Sequence, residues 1–154
     1  MVEDEKFPLS RKYVVKILER FGVVDCKLVS TLMELDFKKL SSSVAAVLLR
    51  NATKYRKLVG ALMFLVNFRL DICFEVNTLS QHMVELRHLH WIGARNLLRY
   101  LRGTITYGLR YTDGDVGLLG YTDVDWAGSV MDRKSTFGCC FCLRSASISW
   151  MRRK

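Results

Sequence analysis

Proline is nearly missing from this 154-residue chain; Pro8 is the only one. Helices and turns must therefore be ended by other residues, because proline is the side chain that most firmly stops a helix. The five cysteines, Cys26, Cys73, Cys139, Cys140 and Cys142, offer a single C-x-x-C spacing, Cys139 to Cys142, with no second one to pair with it. An odd count without paired spacing argues against a disulfide framework, and His82, His88 and His90 are not spaced to complete a zinc site. The cysteines read as reduced thiols of an intracellular chain, cytoplasmic or nuclear. No run reaches the roughly 18 apolar residues of a membrane span. The longest candidate, Leu58 to Phe68, reads as a buried helix. The start, MVEDEKFPLS, is acidic and has no apolar core, so no signal peptide is expected.

What is present is an ordinary globular composition with an excess of positive charge. Half the residues are hydrophobic, a quarter are charged, and the net charge is +9. The excess is concentrated in one stretch. Residues 51–110 carry 9 basic and 3 acidic side chains, against 9 and 7 in residues 1–50 and 6 and 5 in residues 111–154. A polyanionic partner, nucleic acid before membrane, would meet that middle segment first.

The apolar period changes along the chain. Between Lys12 and Phe21 it is helical, with Val14, Ile17, Leu18 and Phe21 on one face and Gly22 as the stop. Residues 23–50 are weakly patterned, and Ser41-Ser42-Ser43 reads as a loop. A second helix, capped by Asn51 or Thr53, runs to about Phe68. Asp71 is placed to cap a third, with Ile72, Val76, Leu79 and Met83 inward. A fourth runs from about His88 to Leu101. Its apolar face is Ala94, Leu97, Leu98 and Leu101; its basic face is Arg95, Arg99 and Arg102; Gly103 ends it. Past Gly103 the period becomes strand-like over Tyr107–Tyr111 and Val116–Asp123, joined by the hairpin signal Thr112-Asp113-Gly114-Asp115. Phe137–Leu143 and Ile148–Arg152 read as two further strands. The composition shift near Gly103 marks a boundary.

Several runs, in order, resemble the Pol polyproteins of copia-type retrotransposons. They are YVVKILERFG (13–22), YRKLVGALMFL (55–65), DICFEVNTLSQHM (71–83), HWIGARNLLRYLRGTITYGLRY (90–111), GYTDVDWAGS (120–129), DRKSTFGCCF (132–141) and ISW (148–150). The resemblance implies an α+β chain in which a helical, thumb-like segment is followed by an incomplete antiparallel ribonuclease H-like β-meander. It divides the chain into the loop-rich end of a reverse transcriptase palm and start of the thumb (1–50), the thumb-like helices (51–103) and the first ribonuclease H strands (104–154).

A thumb grips the template–primer duplex. Arg95, Arg99 and Arg102 are accordingly expected to neutralise phosphates of an RNA–DNA hybrid or DNA duplex without reading sequence; no membrane partner is expected. The polymerase carboxylates of the family belong to a Tyr-x-Asp-Asp turn; Tyr121-Thr122-Asp123-Val124 starts like it but lacks the adjacent Asp pair. The run from Gly120 resembles the first strand of ribonuclease H, whose chemistry uses two divalent ions. By that resemblance Asp123 is the first catalytic carboxylate and a Mg2+ ligand, with Asp125 as a second candidate ligand. The other carboxylates of such a site are expected beyond the third strand. The resemblance thus implies neither polymerase nor nuclease activity from these residues alone, and no stably bound Mg2+.

The chain departs from the family where Leu28, Leu32, Leu70 and Leu86 stand in place of proline, where Phe137 replaces Ser, and where Val124 replaces Ala or Ser. Leu for Pro, Phe for Ser and Val for Ala are each one C-to-T codon change, as expected of a silenced copy drifting by cytosine deamination. Without a proline at Leu70, the second and third helices are expected to run closer to continuous across Arg69-Leu70-Asp71. Two other readings compete. Arg99-Tyr100-Leu101-Arg102 matches an Arg-x-Leu-Arg translocation motif of secreted pathogen effectors. A domesticated protein-interaction module would need a partner to cover the open strand edges.

Overall fold

The computed structural model describes residues 8–30, 32, 51–109, 117–126, 134–143 and 146–153; the side chains of residues 8, 9, 125 and 153 lie outside the description. The chain divides into two compact units, Met1–Gly108 and Leu109–Lys154. Helices occupy the first and strands the second, so the chain is α+β.

The helical unit contains α1 (Pro8–Phe21), α2 (Ala52–Leu65), a 3-10 turn (Leu70–Ile72), α3 (Cys73–Ser80) and α4 (His88–Gly103). Pro8 begins α1, where its missing N–H costs nothing. The helix ends in a Schellman turn. Gly22 adopts φ +69, its N–H bonds to Glu19 O (3.1 Å), and the Val23 N–H bonds to Leu18 O (2.9 Å). Val14, Ile17, Leu18 and Val23 are buried by this arrangement. Asn51 caps α2 by accepting from the Lys54 N–H at 3.0 Å. One stripe of α2, comprising Tyr55, Leu58, Val59, Leu62 and Leu65, is wholly buried against Ile72, Val76, Leu79, Leu97, Leu98 and Leu101. Tyr55 brings a hydroxyl into this apolar core, satisfied by donation to Leu79 O at 2.8 Å.

Two expectations need correction here. Helices α2 and α3 do not approach continuity: α2 stops at Leu65, and Arg69 leaves helical geometry at φ −131, ψ 84. Nor does Asp71 cap the third helix, whose N-cap is Ile72 without a side-chain hydrogen bond. The reason is shared: the Arg69 and Asp71 side chains bond to each other. Of the expected inward set, Ile72, Val76 and Leu79 are buried, whereas Met83 lies past the end of α3 and is half-buried.

The second unit holds an antiparallel meander of β1 (Leu118–Asp125), β2 (Thr136–Leu143) and β3 (Ala146–Arg153) in the order β1-β2-β3. Tyr121 pairs with Cys140 and Asp123 with Gly138; Cys140 pairs in turn with Trp150. The register of β3 on β2 shifts between Phe141 and Cys142, which sets Ser147 opposite Cys142. Phe137, Phe141 and Ile148 remain exposed, while Leu143 and Trp150 are half-buried. The strand expected from Tyr107 is not formed over residues 107–109. The hairpin expected at Thr112–Asp115 lies outside the described residues.

Candidate nucleic-acid interface

Helix α4 carries all three expected contact residues, Arg95, Arg99 and Arg102, and its neighbours decide what each can do. Arg69, only 2% exposed, anchors the end of this helix. Its Nε and Nη2 donate to the two oxygens of Asp71 at 2.8 and 2.6 Å. Its Nη1 donates to Thr104 O at 2.9 Å, and Nη2 also reaches Thr104 Oγ1 at 2.7 Å. Tyr100 closes the circuit by donating its phenol to Asp71 at 3.0 Å. The guanidinium carbon also lies 6.0 Å from the Tyr100 ring centre and 5.6 Å from that of Tyr107. Burial raises the Asp71 pKa, but hydrogen bonding and charge from Arg69 outweigh it, and the carboxyl ends below its usual value.

The three arginines of α4 are not equivalent. Arg99 donates from Nε to Lys27 O at 2.7 Å and Arg102 from Nη1 to Cys26 O. Both guanidinium groups therefore hold the loop that follows α1 against the end of α4; a Cβ on Gly103 would meet Val29 O of this loop at 3.7 Å. Arg95 is exposed one turn earlier.

A second basic group lies near Arg95 along α4. Lys54 Nζ stands 5.5 Å from the ring centre of Trp91, which precedes Arg95 by four residues and so shares its helix face. Lys57, one turn after Lys54 on α2, is also exposed. This pairing of cations with an indole was missed in the sequence because its partners are separated by 37 positions (91 − 54). The available signal was an amphipathic tryptophan beside the basic stripe of α4.

At the start of α4 the Arg87 N–H donates to His90 Nδ1 at 3.1 Å. His90 stacks on His82 with ring centres 4.0 Å apart. Burial, then the charges of His82 and Arg87, lower the His90 pKa to about 4. His90 is thus a neutral cap acceptor at ordinary pH.

Asp123 lies on β1, exposed, with Gly138 opposite it on β2. The side chain of Asp125 lies outside the described residues. Among the described residues no group of three or more His, Cys, Asp or Glu side chains could hold a metal ion. Magnesium takes several oxygen ligands in near-octahedral geometry; among the described side chains of β1, Asp123 is the carboxylate that could supply one of them. Among the described residues no helix is long and apolar enough to cross a membrane.

Comparison with known proteins finds relatives along most of the chain. It is 36% identical over 144 residues to an uncharacterized mitochondrial protein of Arabidopsis thaliana, covering 93% of this chain and 59% of that protein. It is 36% identical over 145 residues to the retrovirus-related Pol polyprotein from transposon RE2 of the same plant, covering 94% of this chain and 10% of the polyprotein. It is 43% identical over 102 residues to secreted RxLR effector protein 161 of Plasmopara viticola, covering 65% of this chain and 72% of that protein. The chain thus spans about three-fifths of the first relative and a tenth of the second. No protein-family model matches, and no solved structure matches.

Proposed function

The chain belongs to the copia-type retrotransposon Pol polyprotein family, of which it matches a short segment, and from that premise we propose that its helical unit is a nonspecific clamp on nucleic-acid backbone. The ligand is an RNA–DNA hybrid or DNA duplex. Lys54, Trp91 and Arg95 form the primary contact, with Arg99 and Arg102 supporting it through the loop they hold. The observation that carries this reading is the Lys54–Trp91 pair at 5.5 Å, one helical turn from exposed Arg95. Cations neutralise phosphates regardless of sequence, and the indole holds the Lys54 ammonium beside this basic face.

The strands enter this proposal through ancestry. Asp123 occupies the position that the family resemblance gives to the first nuclease carboxylate, with Asp125 two residues on. We infer backbone binding by this segment and no catalysis of its own.

The test is fluorescence anisotropy of a short labelled RNA–DNA hybrid at several salt concentrations. Binding should weaken linearly in log–log form as salt rises, and two unrelated sequences should agree within about threefold. Absence of binding at low salt, or a strong sequence preference, would count against the clamp.

A second reading follows from the relative named as a secreted RxLR effector. The matching residues Arg99–Arg102 lie inside α4, with Leu101 fully buried and Tyr100 8% exposed. A linear recognition signal must be accessible, so this placement favours a structural role for the four residues.

A further inference from the structure

We propose that Cys140 and Cys142, with Ser147, form a binding site for one thiophilic divalent cation of the zinc and cadmium kind. Alternate residues of a strand face the same side. Cys140 and Cys142 therefore share a face of β2, and Cys139 faces the other. The two Sγ atoms are 3.9 Å apart. The register shift in β3 places Ser147 beside them, its Oγ accepting from Cys140 Sγ at 3.3 Å and lying 3.5 Å from Cys142 Sγ. Two sulfurs and one oxygen thus converge from neighbouring strands, and both thiols are half-buried.

The spacing selects the ion. With metal–sulfur bonds near 2.3 Å, sulfurs 3.9 Å apart subtend about 116° at a shared ion, close to the tetrahedral angle that zinc takes in thiolate sites. Soft sulfur ligands also discriminate against magnesium and calcium. On binding, each thiol loses its proton to solvent and its sulfur gains a metal bond, so two protons leave for each ion bound. Ser147 and solvent complete the coordination. The site is built from side chains separate from Asp123 and does not depend on the nucleic-acid reading.

The full chain, kept reduced with a phosphine, is titrated with Cd2+ while the sulfur-to-metal charge-transfer absorption and proton release are recorded. One ion per chain and two protons per ion are expected. Cys140→Ser and Cys142→Ser should each abolish the saturable band, Cys139→Ser should keep it, and Ser147→Ala should weaken binding on the order of tenfold. Circular dichroism of each variant confirms that the strands are retained. No saturable band in the wild-type chain, a band that survives in the Cys140→Ser/Cys142→Ser double variant, or equal loss in Cys139→Ser overturns the proposal.

Discussion

Arg69 and Asp71 form a two-pronged ion pair, at 2.8 and 2.6 Å, in which the arginine side chain is 1% exposed and the aspartate 32%. The pair sits where α2 gives way to α3, and through Thr104 it ties that junction to the end of α4. Breaking a buried pair from one side costs more than the pair contributes, because it strands the other partner. Arg69→Met should therefore destabilise the helical unit by about 3 kcal/mol, read as a lowered denaturant midpoint by circular dichroism at 222 nm. An unchanged midpoint would mean that the network is ornamental.

The same network gives an acid dependence of known sign. Asp71 is depressed in the folded chain, so its contribution is present above its unfolded pKa and is lost as pH falls through the folded one. His90, lowered to about 4 from 6.5, acts in the same direction in its own window. The unfolded imidazole takes up a proton near 6.5, whereas the folded one resists until about 4. Stability should fall as pH drops through that interval, by roughly 2 to 4 kcal/mol for this group. The check is an NMR titration: His90 should titrate near pH 4, and a value near 6.5 would contradict its burial as a neutral cap acceptor.

Two glycines separate backbone strain from packing. A Cβ added at Gly22 or at Gly60 meets nothing within 4 Å, yet only Gly22 has a positive φ, +69. Gly22→Ala should cost about 1 kcal/mol, while Gly60→Ala, inside α2, should stabilise by about 0.5–1 kcal/mol. Denaturant midpoints that move in the same direction for both would contradict the Schellman ending of α1.

Legibility in the sequence followed the range of the interaction. The 3.6-residue period placed Val14, Ile17 and Leu18 on one buried face and the four apolar positions of α4 on another, because those patterns are local. The cap at Asn51 was readable for the same reason. The break between α2 and α3 was not readable. Without proline at Leu70 it looked optional, and the arginine that enforces it is completed by Thr104, 35 positions away. Lys54 and Trp91 were hidden likewise, since no short motif joins them. Asp71 misled in a different way: an acidic residue before an apolar run has the form of a cap, but a stronger partner two residues earlier had claimed it. In the strands, alternation located β2 and β3 but could not disclose the register shift that brings Ser147 to the two thiols.

The most direct measurement of the central claim compares surface variants of the helical unit for binding to one RNA–DNA hybrid across a salt series. Lys54→Ala and Arg95→Ala should each weaken binding and lower the log–log salt slope by about 1. Trp91→Ala should weaken it with little change in slope, because the indole carries no charge. Arg99→Ala and Arg102→Ala should act mainly on stability, because their guanidinium groups hold the loop carbonyls of Lys27 and Cys26. The account is contradicted if Lys54, Trp91 and Arg95 can be removed together, with the helices intact, and affinity and slope stay at their wild-type values.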